Sequence, residues 1–195
     1  VSVATNKQAA REQVFNVPNQ LTALRLALSL VLFVLIAFEY YLASAVVFAV
    51  AAGTDWLDGY WARKYGQVTN LGRILDPFVD KIIVCGTFIF LAAAPGSGVQ
   101  AWMVVVIVGR ELLVTALRSY LEGEGADFSA KMSGKLKMAL QCLAALLSLI
   151  ALAQPVGQPS EQLGLAVAVA VWAAVALTIY SGAAYVLRAI ALLRA

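Results

Sequence analysis

Six apolar stretches, each close to the ~20 residues that carry a helix across a bilayer, account for most of this chain. They run Leu21–Phe38, Leu42–Trp61, Pro77–Ala94, Ala101–Leu121, Leu136–Ala153 and Leu163–Leu187. Inside lipid a backbone must satisfy its own N–H and C=O groups, and a stretch of this length does so only as an α-helix. The expected fold is therefore an all-α integral membrane protein with six transmembrane helices. Composition agrees: of 195 residues, 62% are hydrophobic and 13% charged, against about 25% charged in soluble domains. The breaks at Ala94-Pro95-Gly96-Ser97-Gly98 and Gln154–Pro159 are turn-forming. Ahead of the first span, Lys7 to Val17 mixes charges with Val14, Phe15 and Val17, the pattern of an amphipathic helix lying on a membrane. Residues 1–18 are thus expected as an interfacial segment and 19–195 as the six-helix domain. Asn19 is expected to cap the first span.

The charges fix an orientation. All 14 lysines and arginines lie in the N-terminal segment, the Ala62–Arg73 and Leu121–Lys137 loops, the C-terminal end, or the span portions nearest them. The loops around Glu39–Tyr41, Pro95–Gln100 and Gln154–Gln162 hold none. By the positive-inside bias both termini are cytoplasmic, in what is expected to be a bacterial inner membrane. A net charge of +3 spread between spans suits anionic membrane lipids or a phosphorylated substrate, and not nucleic acid. The first 18 residues lack the apolar core of a cleavable signal peptide. Cys85 and Cys142 both fall in apolar segments and read as small hydrophobes, not a disulfide framework. The absence of histidine removes Ser–His and Cys–His nucleophiles and most zinc chemistry.

Against this background four aspartates stand out. Asp55 and Asp58 close the second span at i, i+3, and Asp76 and Asp80 open the third at i, i+4. Each pair shares a helix face, and an antiparallel hairpin would bring the pairs opposite each other on the cytoplasmic side. Juxtamembrane aspartates can simply cap helices or pair with Arg63, Lys64 and Arg73. Four carboxylates in a poorly hydrated place repel, however, unless a cation lies among them. Oxygen-only ligands suit Mg²⁺ or Mn²⁺, and four carboxylates suffice for two ions clamping a displacement at phosphorus. Gly59 and Gly72 leave room for a ligand, and Arg63 offers a fixed fork to phosphate.

The pattern D-x2-D-G-x2-A-R-x8-G-x3-D-x3-D is filled by Asp55, Asp58, Gly59, Ala62, Arg63, Gly72, Asp76 and Asp80. It resembles the signature of the CDP-alcohol phosphotransferase family at all eight fixed positions. The resemblance implies six transmembrane helices around a polar cavity open to the cytoplasm, in a homodimer. It implies that Asp55, Asp58 and Asp76 bind one metal ion, that Asp76 and Asp80 bind a second, and that Asp80 is the catalytic base. Asn19, Thr22, Gly59, Ala62, Arg63, Thr69 and Gly72 would form the site for CDP-diacylglycerol.

A second polar group bears on the acceptor. Arg110 and Arg118 lie eight residues apart on roughly one face of the fourth span, with Glu111 a candidate partner for Arg110. Lys131, Lys135 and Lys137 follow at the start of the fifth span. A cation as deep as Arg110 is costly unless it lines a wet cavity. Arg110, Arg118, Lys135 and Lys137 are what a phosphorylated acceptor needs, although the lysines alone could be topological or lipid-contacting charges. The segments Arg110–Arg118, Gly134–Lys137 with Gln141, Asn16–Thr22 and Ser181–Tyr185 are similar to the branch of the family that uses sn-glycerol 3-phosphate. The implied reaction joins a phosphatidyl group from CDP-diacylglycerol to that acceptor and releases CMP. Inositol 1-phosphate, phosphatidylglycerol or serine are alternative acceptors for the same core. The rival of another class is a non-catalytic cation transporter, and it would need polar groups on both sides of the midplane. The outer halves of these spans are nearly all apolar.

Overall fold

A computed structural model describes residues 17–65, 70–123, 132–154 and 160–193. All regular structure among the described residues is helical: α1 (Val17–Ala37), α2 (Tyr41–Tyr65), α3 (Asn70–Ala93), α4 (Ala101–Gly123), α5 (Met132–Leu152) and α6 (Glu161–Leu193). The expected interfacial helix before Val17 lies outside the described residues. The chain divides into two compact units at Gly86/Thr87, within α3.

In the first unit α1 packs against α2. Thr22, Arg25, Ser29, Leu32 and Ile36, three or four residues apart, form the buried stripe of α1, and Ser44, Ala45, Phe48 and Ala51 are buried on α2. The opposite face of α1 exposes Leu24, Leu26, Leu30, Val31 and Val34. Polar groups inside and large apolar ones outside invert the pattern of a helix on a water-soluble domain. The turn between the two helices is closed by Tyr40 N–H donating to the Leu35 carbonyl (2.9 Å) and Glu39 N–H to that of Ile36 (3.0 Å). This is the Schellman arrangement, and it puts Glu39 at φ 62°, where glycine is usual. On α3, Gly86 lets α1 come close: a Cβ there would lie 2.2 Å from Phe33 Cζ.

In the second unit α6 packs on both α5 and α4. Ala144 and Ala145 on α5 and Ala170 and Ala174 on α6 are buried, and small residues of this kind let helix backbones approach. The turn into α4 uses Gly96 (φ 84°) and Gly98 (φ 75°), with Ser97 Oγ donating to the Leu91 carbonyl (2.6 Å). Ser160 caps α6, its Oγ accepting from Leu163 N–H at 3.4 Å. Trp102 and Trp172 pack with ring centroids 5.7 Å apart.

Two expectations change in detail. Asn19 is the third residue of α1 and not its cap, because Pro18 is compatible with a first helical turn. The third apolar segment was expected to open at Pro77, yet α3 runs unbroken from Asn70. Its ring removes only the bond to the Arg73 carbonyl, a loss that packed membrane helices tolerate. Among the described residues one helix, over Glu161–Leu192, is long and apolar enough to cross a membrane. Thr22–Ala37, Tyr41–Thr54, Lys81–Ala93 and Leu136–Leu152 are shorter apolar helices.

Candidate functional site

The aspartate signature falls on two helices of the first unit. Asp55, Asp58, Gly59, Ala62 and Arg63 occupy the last part of α2, and Gly72, Asp76 and Asp80 the first half of α3. The backbone is α-helical through both pairs, so each pair shares a face as the spacing requires. Residues 66–69 join the helices, and Thr69 lies outside the described residues. Asn19 and Thr22 sit in the opening turns of α1, and Thr22 is buried. Arg25, one turn further on, is 3% exposed. It lies twelve residues before the end of α1, and Asp55 fourteen after the start of α2. With a short turn between the two packed helices, both fall about 20 Å from that turn. Sequence reading counted Arg25 only as an orienting charge. The signal for more was its position four residues before Ser29 and three after Thr22, one face of a helix.

The cationic group of the second unit is built with α4, α5 and α6. Arg110 donates from Nη1 to Glu111 Oε1 at 3.2 Å, and Lys137 Nζ hydrogen-bonds the same oxygen. Side chains of Arg110 and Glu111 are each 10% exposed and that of Lys137 5%. The Arg110 guanidinium lies over the Tyr185 ring, 5.4 Å from its centroid, a cation–π contact. Gly182 clears the way for it, since a Cβ there would lie 3.0 Å from Arg110 Cγ. One turn after Lys137, Gln141 donates to Thr178 Oγ1 (3.0 Å), and that hydroxyl donates to the Ala174 carbonyl (2.6 Å). Two cations therefore share one carboxylate oxygen away from water. Arg110 Nε and Arg118 Nε are buried without a hydrogen-bond partner among the described residues. Such groups are expensive to leave unmade and suit an incoming anion.

The structure thus joins Arg110 to Lys137 through Glu111. Arg118 is half-buried on the same helix, and of Lys135 only the helical backbone position is described. Sequence reasoning paired Glu111 with Arg110 but did not connect it to Lys137, 26 residues away. It also gave no role to Tyr185 or Thr178. Tyr185 entered only as the end of the Ser181–Tyr185 segment, and the mark of Thr178 was its helical spacing with Ser181 on α6.

Residues 15–180 match the model of the CDP-alcohol phosphatidyltransferase family, a stretch that contains every aspartate and cation named above except Arg188, Arg194 and those before residue 15. The chain belongs to that family. It is similar to the CDP-diacylglycerol--glycerol-3-phosphate 3-phosphatidyltransferase of Bacillus subtilis, 38% identical over 187 residues that cover 88% of this chain and 93% of the relative. It is also similar to proteins of the same description from Pseudomonas fluorescens (41% over 109 residues, 54% of this chain and 56% of the relative) and Escherichia coli K12 (34% over 139 residues, 67% and 74%). As a CDP-alcohol phosphatidyltransferase the chain is an enzyme, and the family likeness inferred from the eight signature positions holds. The family match ends before Gly182 and Tyr185, so the two residues of α6 that receive Arg110 lie beyond it.

Proposed function

We propose that this CDP-alcohol phosphatidyltransferase transfers the phosphatidyl group of CDP-diacylglycerol to sn-glycerol 3-phosphate, giving phosphatidylglycerol phosphate and CMP. The observation that carries the choice of acceptor is the buried guanidinium of Arg110, whose Nε has no hydrogen-bond partner among the described residues. A neutral alcohol would leave it uncompensated, whereas a phosphate satisfies it. Arg118 and Lys135 complete the set that binds the acceptor phosphate. Asn19, Thr22, Gly59, Ala62, Arg63, Thr69 and Gly72 bind the CDP-diacylglycerol head, where small residues admit the nucleotide and Arg63 meets its phosphates.

Asp80 accepts the proton of the acceptor hydroxyl. The freed oxygen forms a bond to the phosphorus that bears diacylglycerol, the bond from that phosphorus to CMP breaks, and CMP leaves with the electron pair. The four carboxylates of Asp55, Asp58, Asp76 and Asp80 are an all-oxygen donor set, at helical spacings that suit Mg²⁺ or Mn²⁺. Such ions, expected as a pair, would supply charge neutralisation at the pyrophosphate and the leaving group. No histidine competes with Asp80 as the base.

The inverted polarity of α1, apolar outside and polar inside, supports a setting in lipid. The reading includes six membrane-spanning helices around a cavity open to the cytoplasm. Both termini are cytoplasmic in a bacterial inner membrane, residues 1–18 lie on the surface beside anionic lipids, and the protein is a homodimer. The test is CMP release by the purified protein with CDP-diacylglycerol and a panel of alcohols. Sn-glycerol 3-phosphate should far outperform glycerol, inositol 1-phosphate, serine and phosphatidylglycerol. Equal use of glycerol and glycerol 3-phosphate would overturn the acceptor and leave the aspartate chemistry standing.

A further inference from the structure

We infer that Glu111 is a positioning residue for acceptor selectivity: its Oε1 holds Arg110 and Lys137 at the spacing from which they grip one phosphate. This rests on the reading of that pair as the acceptor-phosphate site. Arg110 comes from α4 and Lys137 from α5, on long side chains with several freely rotating bonds. Unrestrained, two like charges in a poorly hydrated place separate. Two hydrogen bonds to a single oxygen hold the nitrogens within about 6 Å of each other. The remaining geometry is fixed around that oxygen. Tyr185 lies under the guanidinium, Gly182 gives its stem room, and Thr115 Oγ1 bonds the Glu111 carbonyl at 2.7 Å.

Glu111 does this without exhausting the donors. A guanidinium has five N–H groups, and Glu111 engages Nη1 while the buried Nε has no acceptor among the described residues. The carboxylate therefore aligns the cations and leaves donors for the ligand. It also lowers the cost of burying two positive charges while no phosphate is bound.

The prediction separates position from charge. Glu111→Asp keeps the charge and withdraws the oxygens by one methylene, so it cannot reach both heads. Glu111→Gln loses the charge and keeps an oxygen at the same reach. Steady-state kinetics of the full-length protein, with CDP-diacylglycerol and sn-glycerol 3-phosphate varied in turn, should show the acceptor KM of Glu111→Asp raised about tenfold or more. The KM for CDP-diacylglycerol and the saturated kcat should stay near wild type. Glu111→Gln should keep its acceptor KM within about threefold of wild type, a rescue by shape without charge. An unchanged acceptor KM in Glu111→Asp would overturn the inference. So would a lowered one in both variants, which would make the carboxylate a mere competitor for the cations. A parallel loss in both KM values and kcat, with a lowered melting temperature, would make it a structural residue only. Wild-type discrimination between glycerol and glycerol 3-phosphate is the control. If it is absent, the acceptor site itself is wrong; if it persists while Glu111→Asp behaves as wild type, only the role of Glu111 falls.

Discussion

Asp80 and Glu111 show how differently single residues announce themselves. Asp80 is legible because its chemistry depends on short spacings: four residues from Asp76 in one helix, within a pattern of fixed glycines and an arginine. Its proposed role makes a sharp prediction. Asp80→Asn preserves shape and an oxygen but cannot take a proton, so turnover should fall by 10²–10⁴-fold, the usual worth of a general base. Melting temperature and CDP-diacylglycerol binding should change little. Retention of more than about a tenth of the wild-type rate would mean that the proton goes elsewhere. Glu111 was legible only halfway. Its neighbour Arg110 is in plain view, whereas Lys137 reaches it from another helix, and spacing within one helix cannot reveal that.

At the scale of elements, the helices follow from apolar runs, but their ends follow from local stereochemistry. α1 stops because Glu39 takes a left-handed turn after it, and nothing in a Phe-Glu-Tyr-Tyr sequence signals that conformation as a glycine would. The turn before α4 is the opposite case, since Pro95, Gly96, Ser97 and Gly98 mark it openly. Gly98 has two reasons to be glycine: φ 75°, and a missing Cβ that would sit 2.8 Å from Val167 Cγ1. Gly98→Ala should therefore destabilise by roughly 1–3 kcal/mol, from the left-handed backbone and the overlap together. Gly164, near the start of α6, has nothing within 4 Å of an added Cβ. Gly164→Ala should be neutral or mildly stabilising, as alanine in a helix generally is. Thermal unfolding of the two variants side by side in one detergent checks this, and equal melting temperatures would contradict it.

For the whole molecule, the sorting of polarity matters more than the length of any one helix. Arg25, Ser29, Ser44, Thr87, Glu111, Lys137, Gln141 and Thr178 are buried, while Leu30, Val34, Leu42, Val105, Leu112, Leu165 and Trp172 are exposed. A hydrocarbon surrounding rewards that arrangement and water penalises it. The acidic quartet lies in the first unit, and the chemistry proposed for it is metal-assisted. Activity should accordingly depend on a divalent cation. Excess chelator should abolish CMP release, and Mg²⁺ or Mn²⁺ should restore it. Ca²⁺, which accepts larger and looser shells, should restore it poorly. Full turnover in chelator would remove the metal from the reading.

By itself the sequence determined the all-helical class, the position of the turn at Pro95–Gly98, the family and the helix faces that carry its aspartates. Each rests on interactions between residues a few positions apart or on the apolar character of a continuous stretch, and both are written locally. Tertiary structure alone decided that Arg25 is buried and that Gly86 makes room for Phe33. It also decided that Arg110, Glu111, Lys137 and Tyr185 converge from three helices. A side chain's partner on another helix depends on how the helices pack, and a one-dimensional pattern carries each helix's face but not the neighbour that meets it.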